Sequence, residues 1–207
     1  MDIIFDQVNK NFGNKKVINN FSYTFKDKSY AIIGDNGSGK TTFLKLISTL
    51  IAPSSGKINF YYQNNLLTNE LAIKNISFAA PYQELIEEMD INTFLRFHFK
   101  FKIPLIENDK LIKKMGLYDY KKKQIYQLSS GIKQRLKLMI ALNTTCQLTL
   151  LDEPTTNLDD NGKNIYYDLF KTFKNKKSII IATNNKKDIV DSETELIKIN
   201  ENHLEKY

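Results

Sequence analysis

The residues Gly34-Asp35-Asn36-Gly37-Ser38-Gly39-Lys40-Thr41 satisfy the pattern G-x-x-x-x-G-K-[ST] in full, and a second threonine, Thr42, follows. Three glycines let the backbone close around an anion without Cβ clashes. A helix starting near Lys40 would turn its free N–H groups and the positive end of its dipole toward that anion. In this pattern the lysine, here Lys40, reaches the β- and γ-phosphates, and the hydroxyl of Thr41 ligates Mg²⁺. The flanks oppose a chance Gly-rich turn. Tyr30–Ile33 is a compact apolar run suited to a buried strand, and Phe43, Leu44, Leu46, Ile47 and Leu50 recur at helical spacing.

A second chemical feature is Leu148-Thr149-Leu150-Leu151-Asp152-Glu153-Pro154, an apolar run that ends in two carboxylates. A buried strand presents charge at its C-terminal edge, where ligands gather in open α/β sheets. Asp152 would help to hold Mg²⁺, leaving Glu153 to polarise an attacking water as general base. Alone, such a strand end is an ordinary loop entry or helix cap; beside a phosphate loop it is a catalytic pair. A third segment, Leu128-Ser129-Ser130-Gly131-Ile132-Lys133-Gln134-Arg135, reads in isolation as a Ser-capped helix start.

The elements that must carry these residues follow from the spacing of apolar side chains. Ile3–Val8 and Phe21–Phe25 alternate as strands of an antiparallel sheet, and Lys57–Tyr62 and Asn75–Ala80 are further strands. Pro81 to about Gln127 has a helical texture and is read as an inserted subdomain. Helices are expected over Thr41–Leu50, Gly131–Leu142 and Gly162–Phe173, and strands over Leu148–Leu151 and Ser178–Ala182. Glu195–Ile199 and His203–Tyr207 form a closing hairpin. Strands alternating with helices imply a mostly parallel α/β core.

Length and composition bound this picture. The chain has 207 residues, room for one domain with a subdomain, and 42% of them are hydrophobic. Its net charge of +7 favours phosphate, nucleic acid or an anionic membrane face without choosing among them. The single cysteine, Cys146, excludes an internal disulfide and reads as a buried, inert thiol in an apolar helical stretch. The N-terminus has no secretion pattern, and no stretch approaches the ~20 apolar residues of a membrane span. A soluble protein of a reducing compartment is expected.

The order phosphate loop, L-S-x-G with K-Q-R, then Asp-Glu-Pro resembles the ATP-binding subunits of ABC transporters over essentially the whole chain. The resemblance implies a P-loop NTPase (RecA-like) α/β core with an N-terminal antiparallel β subdomain. It also implies an α-helical subdomain inserted at about residues 81–130, all within a single domain, 1–207. It implies ATP and Mg²⁺ as ligands and a head-to-tail homodimer. A separate integral-membrane permease would be the partner, on the cytoplasmic face of the membrane, and no nucleic acid is expected. Phe12 falls where the family stacks an aromatic on adenine. Ser129, Ser130 and Gly131 would meet the ATP of the opposite subunit, and Asp159 matches a dimer-crossing aspartate.

The sequence departs from that family at several positions. Ser130 and Ile132 replace a Gly and the Gln of L-S-G-G-Q, and Asn184 stands where a switch histidine is expected. Asn can hydrogen-bond water or phosphate but carries no titratable proton. The metal-sensing glutamine is assigned to Gln83, although a gap-free reading places Pro81 there. These departures bear on hydrolysis rate more than on nucleotide binding. Two other readings stand beside transport: a soluble ATPase of the same type acting on nucleic acid or translation machinery, and a hydrolysis-impaired regulator. The dense aromatic segment Phe94, Phe97, Phe99 and Phe101 is either subdomain core or a groove for a membrane partner. The lysine runs at 113–114, 121–123 and 174–177 read as solvated faces or as neighbours of an anionic leaflet.

Overall fold

The computed structural model describes residues 1–200 and 203–206. Two sheets organise it. Strands β1 (Asp2–Phe12), β2 (Lys15–Phe25), β4 (Ser55–Tyr62) and β5 (Asn65–Leu67) form an antiparallel sheet in the order β2-β1-β4-β5. Strands β3 (Tyr30–Ile33), β6 (Ile76–Ala79), β7 (Leu148–Asp152), β8 (Ser178–Thr183), β9 (Glu195–Asn200) and β10 (His203–Lys206) form the second, in the order β10-β9-β3-β8-β7-β6. The pairs β3–β8, β3–β9, β7–β8 and β6–β7 are parallel, and only β9–β10 is antiparallel, as the closing hairpin. Tyr207, included in that hairpin on sequence grounds, lies outside the described residues.

Strand β8 shows why the central strands read as unbroken apolar runs. Ile179 and Ile181 join one core, Ile180 and Ala182 the other, so both faces of the sheet are covered. On one face, helix α1 (Lys40–Ile47) packs between the parallel sheet and the antiparallel one. Phe43 stacks on Phe5 of β1 with ring centroids 5.0 Å apart, and Phe21 and Phe25 close around the pair. That cluster fixes the helix whose first turn carries Lys40 and Thr41. On the other face lie α5 (Ser130–Asn143) and α6 (Asp160–Phe173), with α3 (Ile91–His98) and α4 (Asn108–Lys114) beside them.

Residues 81–127 hold α3, α4 and two short 3₁₀ turns, Tyr118–Tyr120 and Ile125–Gln127, joined by long turns. The segment is less helical than its composition suggests. Strand β5 and helix α2 (Asn69–Lys74) were not apparent in the sequence; each spans six residues or fewer, too short for periodicity to register. Cys146 is buried as expected, but beyond the end of α5 rather than within a helix. The aromatic segment divides: Phe94 is in the core, whereas Phe97 and Phe101 are exposed. Among the 174–177 lysines, Lys177 is buried and donates to the carbonyls of Thr144 and Ala141, so that run is only partly a solvated face.

Candidate functional site

The phosphate loop leaves the C-terminal end of β3 and enters α1, as its flanks predict. Gly39 sits at φ +107°, a left-handed value suited to glycine, and a Cβ there would lie 2.8 Å from a methyl of Val17. A Cβ on Gly34 would meet the Ile199 carbonyl oxygen at 2.7 Å. These two approaches hold the loop against β2 and β9. Lys40 is almost fully buried, and its Nζ donates to the carbonyls of Gly34 (2.9 Å) and Asp35 (3.0 Å). The ammonium is thereby curled over the loop it serves.

Strand β7 delivers the acidic pair. The Thr41 hydroxyl donates to Asp152 Oδ2 at 2.7 Å, joining residues 111 positions apart in the chain. Asp152 Oδ1 is buried without a hydrogen-bond partner, as is the Ser38 hydroxyl in the loop. Burial pushes the Asp152 carboxyl above its ordinary pKa, against the pull of Thr41, Tyr82, Lys40 and Lys45. Glu153 lies 3.5 Å from Lys40 Nζ. Its backbone is held at φ +43°, a conformation uncommon for a non-glycine residue, while its N–H donates to the Ala182 carbonyl. Burial also raises the Glu153 pKa; Lys40 and the N–H of Asn184 oppose that rise.

A hydroxyl–carboxylate network supports the strand ends from behind. Asp188 accepts from Thr155 (2.7 Å) and Thr183 (2.6 Å), and Thr183 also lies 3.5 Å from Glu153 Oε2. Sequence reasoning passed over Asp188; its only signal was a carboxylate four residues beyond the switch position.

The remaining sequence-predicted residues take varied places. Asn184 is exposed at the end of β8, and its Nδ2 donates to Asn36 Oδ1 of the phosphate loop at 2.9 Å. Thr42 follows Thr41 in the first turn of α1. Phe12 ends β1 with half its surface exposed and Lys10 Nζ 5.0 Å above its ring. Ser129 caps α5, accepting from the Ile132 N–H, and both Ser129 and Ser130 are exposed. Gly131 packs closely, for a Cβ would stand 2.8 Å from the Asn157 carbonyl oxygen. Asp159 caps α6, accepting from the Gly162 N–H at 2.7 Å and facing Arg135 at 3.2 Å. Among the described residues, no hydrogen bond or ion pair links Ser129–Gly131 or Asp159 to the phosphate loop.

Gln83 does not join the Thr41–Asp152 pair. Its Oε1 accepts from the Ala80 N–H at 3.0 Å, and its side chain lines a groove of about 220 Å³ with Leu50, Ile73, Phe78, His98 and Lys102. The ring of the neighbouring Tyr82 lies between Lys45, whose Nζ is 4.6 Å from its centroid, and Phe78 at 6.5 Å.

Mg²⁺ typically takes one or two carboxylates plus substrate phosphates rather than a full protein cage. The Thr41 hydroxyl and the orphaned, buried Asp152 Oδ1 fit that demand, and no cluster of three acidic, His or Cys side chains exists among the described residues.

A glycine-rich loop between a parallel strand and a helix, facing two carboxylates at the C-terminal end of β7, defines a P-loop nucleotide-binding α/β protein. The ABC transporter family model matches residues 18–156, and the chain belongs to that family as one of its ATP-binding subunits. It is 32% identical to an uncharacterized ABC transporter ATP-binding protein of Bacillus subtilis, YybJ, covering 91% of this chain and 88% of the relative. It is also 32% identical to the zinc import ATP-binding protein ZnuC of Wigglesworthia glossinidia brevipalpis, covering 93% of this chain and 80% of the relative. In fold it matches a dimeric ATP-binding cassette solved in a post-hydrolysis state with ADP and Pi. That match has a TM-score of 0.80 and 21% identity, and it covers 99% of this chain and 98% of the other.

Proposed function

We propose that this chain hydrolyses Mg²⁺-ATP to drive a separate membrane permease, working as a head-to-tail pair at the cytoplasmic membrane face. The whole chain acts as one ATPase domain, with residues about 81–130 as its inserted helical subdomain. The observation that carries the reading is the convergence of Lys40, Thr41, Asp152 and Glu153 on one point at the sheet edge.

Lys40 exchanges its contacts with loop carbonyls and Glu153 for the β- and γ-phosphates. That exchange frees Glu153 to accept a proton from the attacking water as it adds to the γ-phosphorus in line with the leaving oxygen. Thr41 and Asp152 hold the magnesium ion. When bound there, Mg²⁺ would supply positive charge against the negative charge that develops on the transferred phosphoryl group. Asn184, at hydrogen-bond distance from Asn36, is placed to orient water or the γ-phosphate but not to shuttle a proton. Phe12 offers a ring face to adenine.

Two surfaces support the assembly. The exposed Ser129 and Ser130, with Gly131, open the N-terminus of α5, whose free N–H groups suit the γ-phosphate held by a second copy. The structural neighbour named above is itself a dimer. The groove lined by Gln83 and His98 adjoins the exposed Phe97 and Phe101, an apolar face suited to a segment of the permease. No helix among the described residues is long and apolar enough to cross a membrane.

Asn184 also favours a second reading, a regulator that binds ATP and turns it over slowly. Phosphate release by the purified chain, compared with Glu153→Gln, separates the two. Turnover at least ten times that of the variant supports the ATPase; equal rates support the regulator. Purification from detergent-solubilised membranes with an integral-membrane protein supports the permease, and recovery with ribosomes or nucleic acid opposes it.

A further inference from the structure

Gln134 is the middle residue of Lys133-Gln134-Arg135, and the chemistry above leaves it without a role. Its two neighbours make ion pairs along α5, Lys133 with Glu87 at 2.5 Å and Arg135 with Asp159 at 3.2 Å. Gln134 instead turns into the interior and is only 2% exposed. Its Nε2 donates to the Pro154 carbonyl at 3.1 Å, and among the described residues no other donor reaches that carbonyl. Pro154 is buried and directly follows Glu153. Glu153 sits at φ +43°, a conformation that a non-glycine residue keeps only where its surroundings fix it from several sides. Its N–H donates to the Ala182 carbonyl at 2.8 Å, and its own carbonyl accepts from the Thr156 N–H at 3.1 Å. The Gln134 amide adds a third restraint one residue on, from a different element. Gly131 keeps α5 close enough to give it, for a Cβ there would stand 2.8 Å from the Asn157 carbonyl oxygen of the same loop.

We propose that Gln134 is a positioning residue for hydrolysis: by holding the Pro154 carbonyl it fixes the strained turn that aims the Glu153 carboxylate at the attacking water. The inference rests on the reading of Glu153 as general base given above. Gln134 grips the backbone beside the base, and among the described residues it makes no hydrogen bond to Lys40, Thr41 or Asp152. Its loss therefore acts on the chemical step and spares ATP binding. The effect can be large, because a misplacement of about 1 Å at a reacting group can cost about 10²-fold in rate. The same helix begins with Ser129, Ser130 and Gly131, so the element proposed to meet a second copy's nucleotide also holds the turn that carries the base.

The test compares kcat with the Kd of Mg²⁺-ATP in Gln134→Met, which keeps the length of the side chain and removes the amide. The expected result is a kcat lowered about tenfold or more with Kd unchanged. In the Glu153→Gln background, followed by single-turnover phosphate release with protein in excess, the same substitution should change the residual rate by less than about twofold, because the base it positions is gone. A Gln134→Met kcat equal to wild type overturns the proposal. So does a loss of ATP affinity that matches the loss of kcat, or an equal fold loss in the Glu153→Gln background; either marks a packing effect. Gln134→Glu, equally long and without the donor, is measured alongside and read by the same criteria if Gln134→Met lacks a cooperative urea transition. Wild-type turnover no faster than that of Glu153→Gln would instead overturn the ATPase reading beneath the proposal.

Discussion

Lys40 and Glu153 form the tightest test of the chemistry, because the ammonium and the carboxylate lie 3.5 Å apart at the loop. Lys40→Ala should reduce ATP affinity by at least tenfold, since a charge-assisted contact in a shielded site contributes about 1.5–3 kcal/mol. Calorimetric titration giving wild-type affinity would reject the assignment. The pH dependence of turnover tests Glu153. Burial outweighs the pull of Lys40 and raises its pKa, so the basic form is lost as pH falls from neutrality toward that raised value. The kcat profile should therefore drop on its acid side at a pH above the ordinary carboxylate range. At position 184 the native Asn adds no ionisation, whereas Asn184→His should introduce one near pH ~6.5. A profile unaltered by Asn184→His would detach this position from the chemistry.

Helix ends and strand ends carry the next level. Asp159 caps α6 through the Gly162 N–H, a stabilising role within one copy that is separate from any dimer contact. Asp159→Ala should lower the unfolding free energy by about 1 kcal/mol, and Asp159→Asn, which retains a capping oxygen, by less. Urea denaturation of the nucleotide-free chain measures both; equal losses would deny the cap. Asp188 stitches β8 to the segment after β7 by accepting from Thr155 and Thr183. Asp188→Ala leaves two buried hydroxyls without their acceptor and should cost about 2 kcal/mol or more in the same assay. Burial raises the Asp188 pKa, so folding takes up a proton above the usual aspartate value. Its contribution to stability therefore falls as pH rises through the folded-state pKa.

For the whole molecule, ATP held by Lys40 and Thr41 of one copy and by Ser129 and Gly131 of another becomes part of the interface. Slower hydrolysis then prolongs closure by mass action. Glu153→Gln with Mg²⁺-ATP should shift from monomer to dimer in size-exclusion chromatography with light scattering, and ADP should not support the shift. Adding Ser129→Arg should reverse it, because the bulky cation would occupy the place of the facing phosphate. A Glu153→Gln chain that binds ATP and stays monomeric would leave dimerisation dependent on the permease.

Contiguous features were legible without coordinates. Gly34–Thr41 declares an anion cradle because loop conformation, helix start and ligand contacts all lie within a few residues. Strands β3, β7 and β8 stood out because burial on both faces demands unbroken apolar runs. What spans distance was not legible. Thr41 meets Asp152 across 111 positions, Asp188 gathers two threonines from separate strand ends, and Asn184 reaches back to Asn36. Each depends on parallel pairing between strands that are far apart in sequence, which local spacing does not encode. The choice between Pro81 and Gln83 was not legible for the same reason. Only the register of β6 on β7, and the turn after Ala80, decides where the side chains beyond β6 go; it sends Gln83 into the groove.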